Sequence, residues 1–429
     1  MIKEFYQSKR KELVNQIEND SVVILHSNYE VFKSADSIYD FSVNKNFYYL
    51  TGLNESNITL VLGRFDNLAY EWLFIDENDP ILVKWVGAKY TKEEAANISG
   101  IDIKNIHYNS NFDSFIRNLI QPNRNVLRAV KNIYLDLEVR DIPQYNTFAL
   151  EYSKEIKNKY PSIVIKNIYQ NIIDLRTIKE PCEIEEIKKS IDTTKRAILN
   201  VYHHNNEITN EKIGCAYHDF VLNCDGKQKS FGTIMAGGKN ACTLHYEDNN
   251  SDVSKDDLML MDLGSSTNGY ASDISRTFPI GGKFSKRQKE IYEAVLDTNK
   301  KCIKFAKAGI TWNELNAYAR TLLTEHLIKL GVMETKEELS EYYFHSVSHS
   351  LGLDVHDPCD YNKKLRPGMV ITIEPGLYIA KEGIGIRIED DILITETGSV
   401  CLSSDLVKEV AELEKELTRW NIVTNVEIV

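Results

Sequence analysis

No apolar run in this chain approaches the ~18 residues a membrane-spanning helix needs. The opening stretch MIKEFYQSKRKELVNQIEND is a polar helical pattern with no hydrophobic signal core. Both absences weigh against a membrane or secreted protein, and the expectation is a cytoplasmic chain with no membrane partner. Cysteine is scarce and unpatterned: there are seven, an odd number, and none forms a CxxC pair. That argues against a disulfide framework and a zinc knuckle, and predicts reduced, mostly buried thiols. A basic stripe is missing as well. With Lys+Arg 51 against Asp+Glu 63, the formal net charge is −12, which disfavours nucleic acid and anionic lipid and leaves a small or peptidic substrate. No glycine-rich phosphate loop follows any strand pattern, and no low-complexity tract or short repeat occurs.

What is present suits a two-domain globular protein: 429 residues, 42% hydrophobic and 27% charged. Up to about residue 165, strand patterns such as SVVILHS, NITLVLGRF, EWLFIDEND and NIYLDLE alternate with helical ones, which predicts an α/β domain. FYYLTG, Phe47 to Gly52, reads as core and turn. The connector NIIDLRTIKEP then leads to Pro181, well placed in a first helical turn. Beyond it Ile184, Ile187, Ile191 and Ile198 recur at helical spacing. The expected division is 1–170 and 171–429, with further helices from Lys286 to Ala308 and from Trp312 to a stop at Gly331.

The chemistry concentrates in the second part. HSVSHSLGLDVHD, from His345 to Asp357, holds three of the chain's ten histidines. DDLMLMDLGSSTNGYASDISRTF reads as a hairpin turned near Asn268-Gly269, with Asp262 and Asp273 on strands able to face each other. Asp262 ends an apolar run, a costly place for an unpartnered carboxylate. RPGMVITIEPGLYI carries Glu374 at a strand end, and GIGIRIEDDILIT carries Arg387 and Glu389 at i and i+2, on one face of a strand. Arg387 can orient a ligand carboxylate or simply pair with Asp262 or Glu389. Two Asp and two Glu can neutralise two divalent cations, whereas one cation among four carboxylates would be overcharged, so a dinuclear site with one histidine is expected. Hard oxygen donors with one imidazole suit Mn²⁺, Co²⁺ or Fe²⁺ better than a thiolate zinc centre, with Zn²⁺ as an alternative.

These motifs in this order, together with YDFSVNKNFYYLTGLNES and TIMAGGKNACTLHY, resemble the pita-bread metallopeptidases. The nearest likeness is to the Xaa-Pro aminopeptidases (aminopeptidase P), with prolidase close by, and it spans almost the whole chain. The resemblance implies a creatinase-like α/β N-terminal domain before a pita-bread (α+β) catalytic domain. It implies hydrolysis of the bond between an N-terminal residue and proline by a metal-bridging hydroxide, with two ions, manganese first among the candidates. It assigns Asp262, Asp273, His349, Glu374 and Glu389 as ligands, with Asp273 and Glu389 bridging. His245, His345 and His356 would hold substrate or move protons, Glu374 would carry the proton to the leaving nitrogen, and Arg387 would belong to the same site. A homodimer or homotetramer is implied, in which Trp85 could reach a neighbouring subunit; a buried Trp85 is the alternative. Prolidase differs in taking only dipeptides, and an inactive pita-bread binding module would lack acidic ligands, of which none is missing. The arginine often found before the aromatic stretch is absent from VNKNFYYLTG.

Overall fold

The computed structural model describes residues 2–121, 129–138 and 147–419. Two compact units divide between Arg176 and Thr177, a little beyond the expected 170, because the helix Tyr169–Thr177 runs on with Ile172 and Ile173 buried.

The first unit is built on a six-stranded mixed sheet. Its spatial order is Ile106–Tyr108, Leu68–Ile75, Thr59–Phe65, Ser21–His26, Asn132–Leu135 and Val164–Asn167. Ser21–His26 lies at the centre, antiparallel to Thr59–Phe65 and parallel to Asn132–Leu135. Both faces of that strand are covered, which explains its continuous rather than alternating apolar run. Val22, Ile24, Val61, Phe74, Ile133 and Leu135 form its core with residues of the flanking helices. FYYLTG is core, as expected, but is helical rather than a turn. Asn44 caps the helix Lys45–Thr51 by accepting from the Phe47 amide at 2.9 Å, and Gly52 ends it at φ +71°, where a side chain would be strained.

The second unit is a mixed α and β structure that uses one arrangement twice. A helix pair, Pro181–His203 and Glu211–Cys224, precedes the antiparallel strands Ile234–Gly237, Leu258–Leu263 and Ile274–Pro279. A second pair, Lys286–Phe305 and Trp312–Lys329, precedes the strands Val370–Ile373, Asp390–Ile394 and Ser399–Cys401 and the hairpin Gly376–Ile379/Ile384–Arg387. Pro181 is the first helical residue, as its missing N–H favours, and Ile187, Ile191 and Ile198 are buried along one stripe. Ser285 with Gln288 and Thr311 with Glu314 close capping boxes at the next two helix starts. The first of those helices stops at Phe305, short of the expected Ala308, because Ala306 turns extended.

Two further expectations change. Only Cys302 of the seven cysteines is fully buried; Cys224 is exposed and the others are half-buried, all as free thiols. Trp85 is 83% exposed, which removes the buried alternative. Among the described residues no helix is long and apolar enough to cross a membrane.

Candidate metal centre

The strands of the second unit end where their carboxylates meet. Asp262 sits near the end of Leu258–Leu263, opposite Ser275 in the antiparallel ladder. The chain then makes a small hairpin, Ser265–Thr267 with Tyr270–Ala271. Its turn uses Asn268 at φ +49° and Gly269 at φ +81°, the left-handed pair a tight hairpin requires. Asp273 returns just before Ile274–Pro279, so the two aspartates meet diagonally instead of directly across the ladder. Glu374 follows the strand Val370–Ile373. Arg387 and Glu389 do not share one strand: Arg387 ends Ile384–Arg387, and Glu389 lies in the break before Asp390–Ile394, which belongs to a different sheet. The strand pattern was continuous in sequence, but pairing with two different partners interrupts it.

The structure brings all five expected ligands together. The His349 Nδ1 bonds the Ser350 carbonyl at 3.0 Å, so that nitrogen carries a proton and Nε2 is the ring nitrogen turned to the carboxylates. Nε2 lies 3.3 Å from Asp273, 3.7 Å from Glu374 and 3.9 Å from Glu389. Donor atoms within 4.8 Å of one another form the groups Asp262–Asp273–Glu389 and His349–Glu374–Glu389, and His356 joins Asp273 and His349 in a third. Glu389, Asp273 and His349 thus belong to two groups each, and of the carboxylates only Glu389 and Asp273 do.

Electrostatics points the same way. Burial, then the charge of Asp262, pushes the Asp273 carboxyl well above the usual carboxylate range; burial, then Asp273, does so for Glu389. Glu374 is pushed up to about 7, with burial the largest cause. Asp262 Oδ1, Asp273 Oδ1 and Glu389 Oε1 are buried without a hydrogen-bond donor, an arrangement that costs several kcal/mol, on the order of 1–3 per group, unless a cation stands there. Crowded hard-oxygen donors with one oriented imidazole fit divalent cations.

Arg387 pairs with Asp262, at 2.6 Å, and not with Glu389. Its Nε donates to Ser275 Oγ at 2.8 Å, and that hydroxyl donates to Glu389 Oε2 at 2.7 Å. A second Arg387 nitrogen donates to the Tyr378 hydroxyl at 3.1 Å, which in turn meets His345 Nε2 at 2.9 Å. His345 Nδ1 faces the Ser346 carbonyl at 2.8 Å, and burial holds this histidine down to about 4, so it is neutral. His356 is exposed with its ring 4.2 Å from that of His349. His245 is exposed and lies near enough to His345 and His356 to be a minor cause of their lowered pKa, after burial. Sequence reasoning missed Ser275 and Tyr378. Both lie inside the motifs, but nothing in their spacing distinguishes them from ordinary strand residues.

Residues 185–396 match metallopeptidase family M24, and residues 6–127 match the N-terminal domain of aminopeptidase P. The chain is 30% identical to the Xaa-Pro aminopeptidase of Haemophilus influenzae, with 96% of each chain covered. It superposes on a solved Bacillus anthracis chain assigned to aminopeptidase P with a TM-score of 0.94, at 43% identity and with 98% and 99% of the two chains covered. Against Escherichia coli aminopeptidase P with the inhibitor Pro-Leu, the TM-score is 0.89 at 29% identity, with the same coverage.

Proposed function

This chain belongs to metallopeptidase family M24 and is an Xaa-Pro aminopeptidase, and we propose that Asp262, Asp273, His349, Glu374 and Glu389 hold two divalent cations, manganese by preference. One observation carries that assignment: three carboxylates surround the His349 Nε2, a fourth, Asp262, joins two of them, and three of their buried oxygens lack donors. Asp273 and Glu389 are the shared ligands because each belongs to both carboxylate and histidine groups. When bound, the cations would acidify a water and polarise the scissile carbonyl.

The chain's own residues supply the rest. Glu374 takes the proton from the attacking water and delivers it to the proline nitrogen as the C–N bond breaks. That nitrogen is a tertiary amide until cleavage, so it offers no N–H to a general peptidase site. Arg387, through Asp262 and Ser275, holds the carboxylates on both sides of the site. His345 has both ring nitrogens engaged, by Ser346 and Tyr378, and therefore orients the Arg387–Tyr378 chain. His245 and His356, both exposed, remain to hold the peptide and the developing oxyanion. The test is release of the first residue from Xaa-Pro-Yaa peptides by chelator-treated protein before and after Mn²⁺ is restored. Activity that survives complete chelation, or equal cleavage of Xaa-Ala-Yaa, would overturn the reading.

A further inference from the structure

Asn299 lies on the helix Lys286–Phe305 and is 0% exposed, and its side-chain hydrogen bonds go to two backbone carbonyls and to Lys408. Its Nδ2 donates to the carbonyl of Ile373 at 3.1 Å and to that of Ile388 at 3.1 Å. Those two residues immediately precede Glu374 and Glu389. The amide orientation is determined by chemistry: two carbonyls can only accept, and on its other side Lys408 Nζ can only donate to Oδ1, at 2.9 Å.

The same two peptide units are held from their far ends. The Glu374 amide donates to the Val347 carbonyl at 2.8 Å, in the segment that leads to His349, and the Glu389 amide donates to the Ser275 carbonyl at 3.0 Å. Ser275 follows Asp273 by two residues and is the ladder partner of Asp262. One side-chain amide therefore ties together the backbone segments of all five proposed ligands. Behind it, Lys408 donates to Asp390 at 2.5 Å, Arg276 pairs with Asp390 at 2.8 Å, and Arg276 also donates to the Glu389 carbonyl at 2.6 Å. The frame is buried and hydrogen-bonded, so it resists relaxation.

We propose that Asn299 is a positioning residue that sets the separation of Glu374 and Glu389, and with it the affinity of the metal centre. The proposal rests on the reading of those glutamates as ligands. Partners of this kind, one step behind the ligands, change metal affinity by about 10- to 100-fold.

The experiment is a Mn²⁺ titration of the metal-free full chain, followed by calorimetry and by the electron paramagnetic resonance of unbound Mn²⁺, with melting temperature recorded alongside. Asn299→Ala removes both donors. Asn299→Asp keeps the shape and the Lys408 contact while replacing the shared donor Nδ2 with one acceptor oxygen, and decides the matter if the alanine variant does not fold. Both should bind at least one ion about 10- to 100-fold more weakly. Leu315→Ala, a buried core change on the neighbouring helix, should lower the melting temperature with wild-type Mn²⁺ affinity, which separates positioning from general destabilisation. Wild-type affinity and stoichiometry in the Asn299 variants, or an affinity loss in Leu315→Ala as large as theirs, would overturn the proposal. A Glu389→Gln arm tests the underlying ligand reading: full binding there would mean that the ligand assignment itself is wrong, and the proposal falls with it.

Discussion

Asp273 and Glu389 each bring a buried carboxylate oxygen to a point where nothing donates to it. Amide replacements keep the shape but remove the charge, so Asp273→Asn and Glu389→Gln should lower kcat by at least about a thousandfold, consistent with loss of metal-based catalysis. In the metal-free state they should melt no lower than the wild type, because a neutral group relieves repulsion within the cluster. Near wild-type turnover with full metal content in either variant would contradict the bridging role. The histidines divide differently. His349 turns its Nε2 to three carboxylates, whereas His245 and His356 are exposed. His349→Ala is expected to lose metal, while His245→Ala and His356→Ala keep it and turn over more slowly; metal content by mass spectrometry separates the two outcomes.

At the scale of elements, the site exists because several strands stop in one place and deliver like charges together. That has a pH signature. The Glu374 carboxyl, near 4.5 when unfolded, is raised to about 7 in the fold. Metal-free stability is therefore fully present below the unfolded value and is lost as pH rises through the folded one, on the order of 3 kcal/mol for this group alone. Asp273 and Glu389 shift in the same direction. Asp390, held far below the ordinary range by Arg276 and Lys408, contributes constantly over this window. Metal-free protein should thus melt higher at pH 5 than at pH 8, and saturating Mn²⁺ should remove or reverse that slope. A flat profile without metal would show that the carboxylates are not crowded as described.

At the scale of the whole molecule, the placement of its cations bears on substrate length and its exposed apolar surface on assembly. A dipeptide-specific enzyme must meet the substrate's terminal carboxylate with a cation, most often arginine. Of the arginines in or beside the motifs, Arg276 is consumed by Asp390 and the Glu389 carbonyl and Arg387 by Asp262, Ser275 and Tyr378, while Arg366 lies ahead of the strand that leads to Glu374. Xaa-Pro-Yaa peptides should therefore give a higher kcat/KM than the matching Xaa-Pro dipeptides with Mn²⁺, and the reverse order would indicate a prolidase. Assembly is predicted by surface chemistry. Ile81, Leu82, Trp85 and Val86 are all exposed on and beside the short helix Val83–Val86, a contiguous apolar stretch that an isolated chain would leave in water. A homodimer or homotetramer should appear in light scattering, and Trp85→Ala together with Val86→Ser should shift it toward monomer. A wild-type chain that stays monomeric at every working concentration would rule this out.

The sequence by itself determined the two-part α/β and α+β organisation, the helix start at Pro181, the turn at Asn268-Gly269 and a gathering of two Asp, two Glu and one histidine, while the choice of Asp262, Asp273, His349, Glu374 and Glu389 came from the likeness of its motifs to those of a known family. Each of these is written in local periodicity, turn chemistry or an unbroken motif. It could not show that Arg387 pairs with Asp262, that GIGIRIEDDILIT breaks between two sheets, that His349 carries a proton on Nδ1, or that Trp85 faces water. Nor could it single out Asn299, one asparagine in an ordinary amphipathic helix. These depend on hydrogen bonds and burial between residues as far as 125 positions apart, such as Asp262 with Arg387. Such partners are chosen only when the strands have paired and the polar groups left inside must find donors and acceptors among their new neighbours.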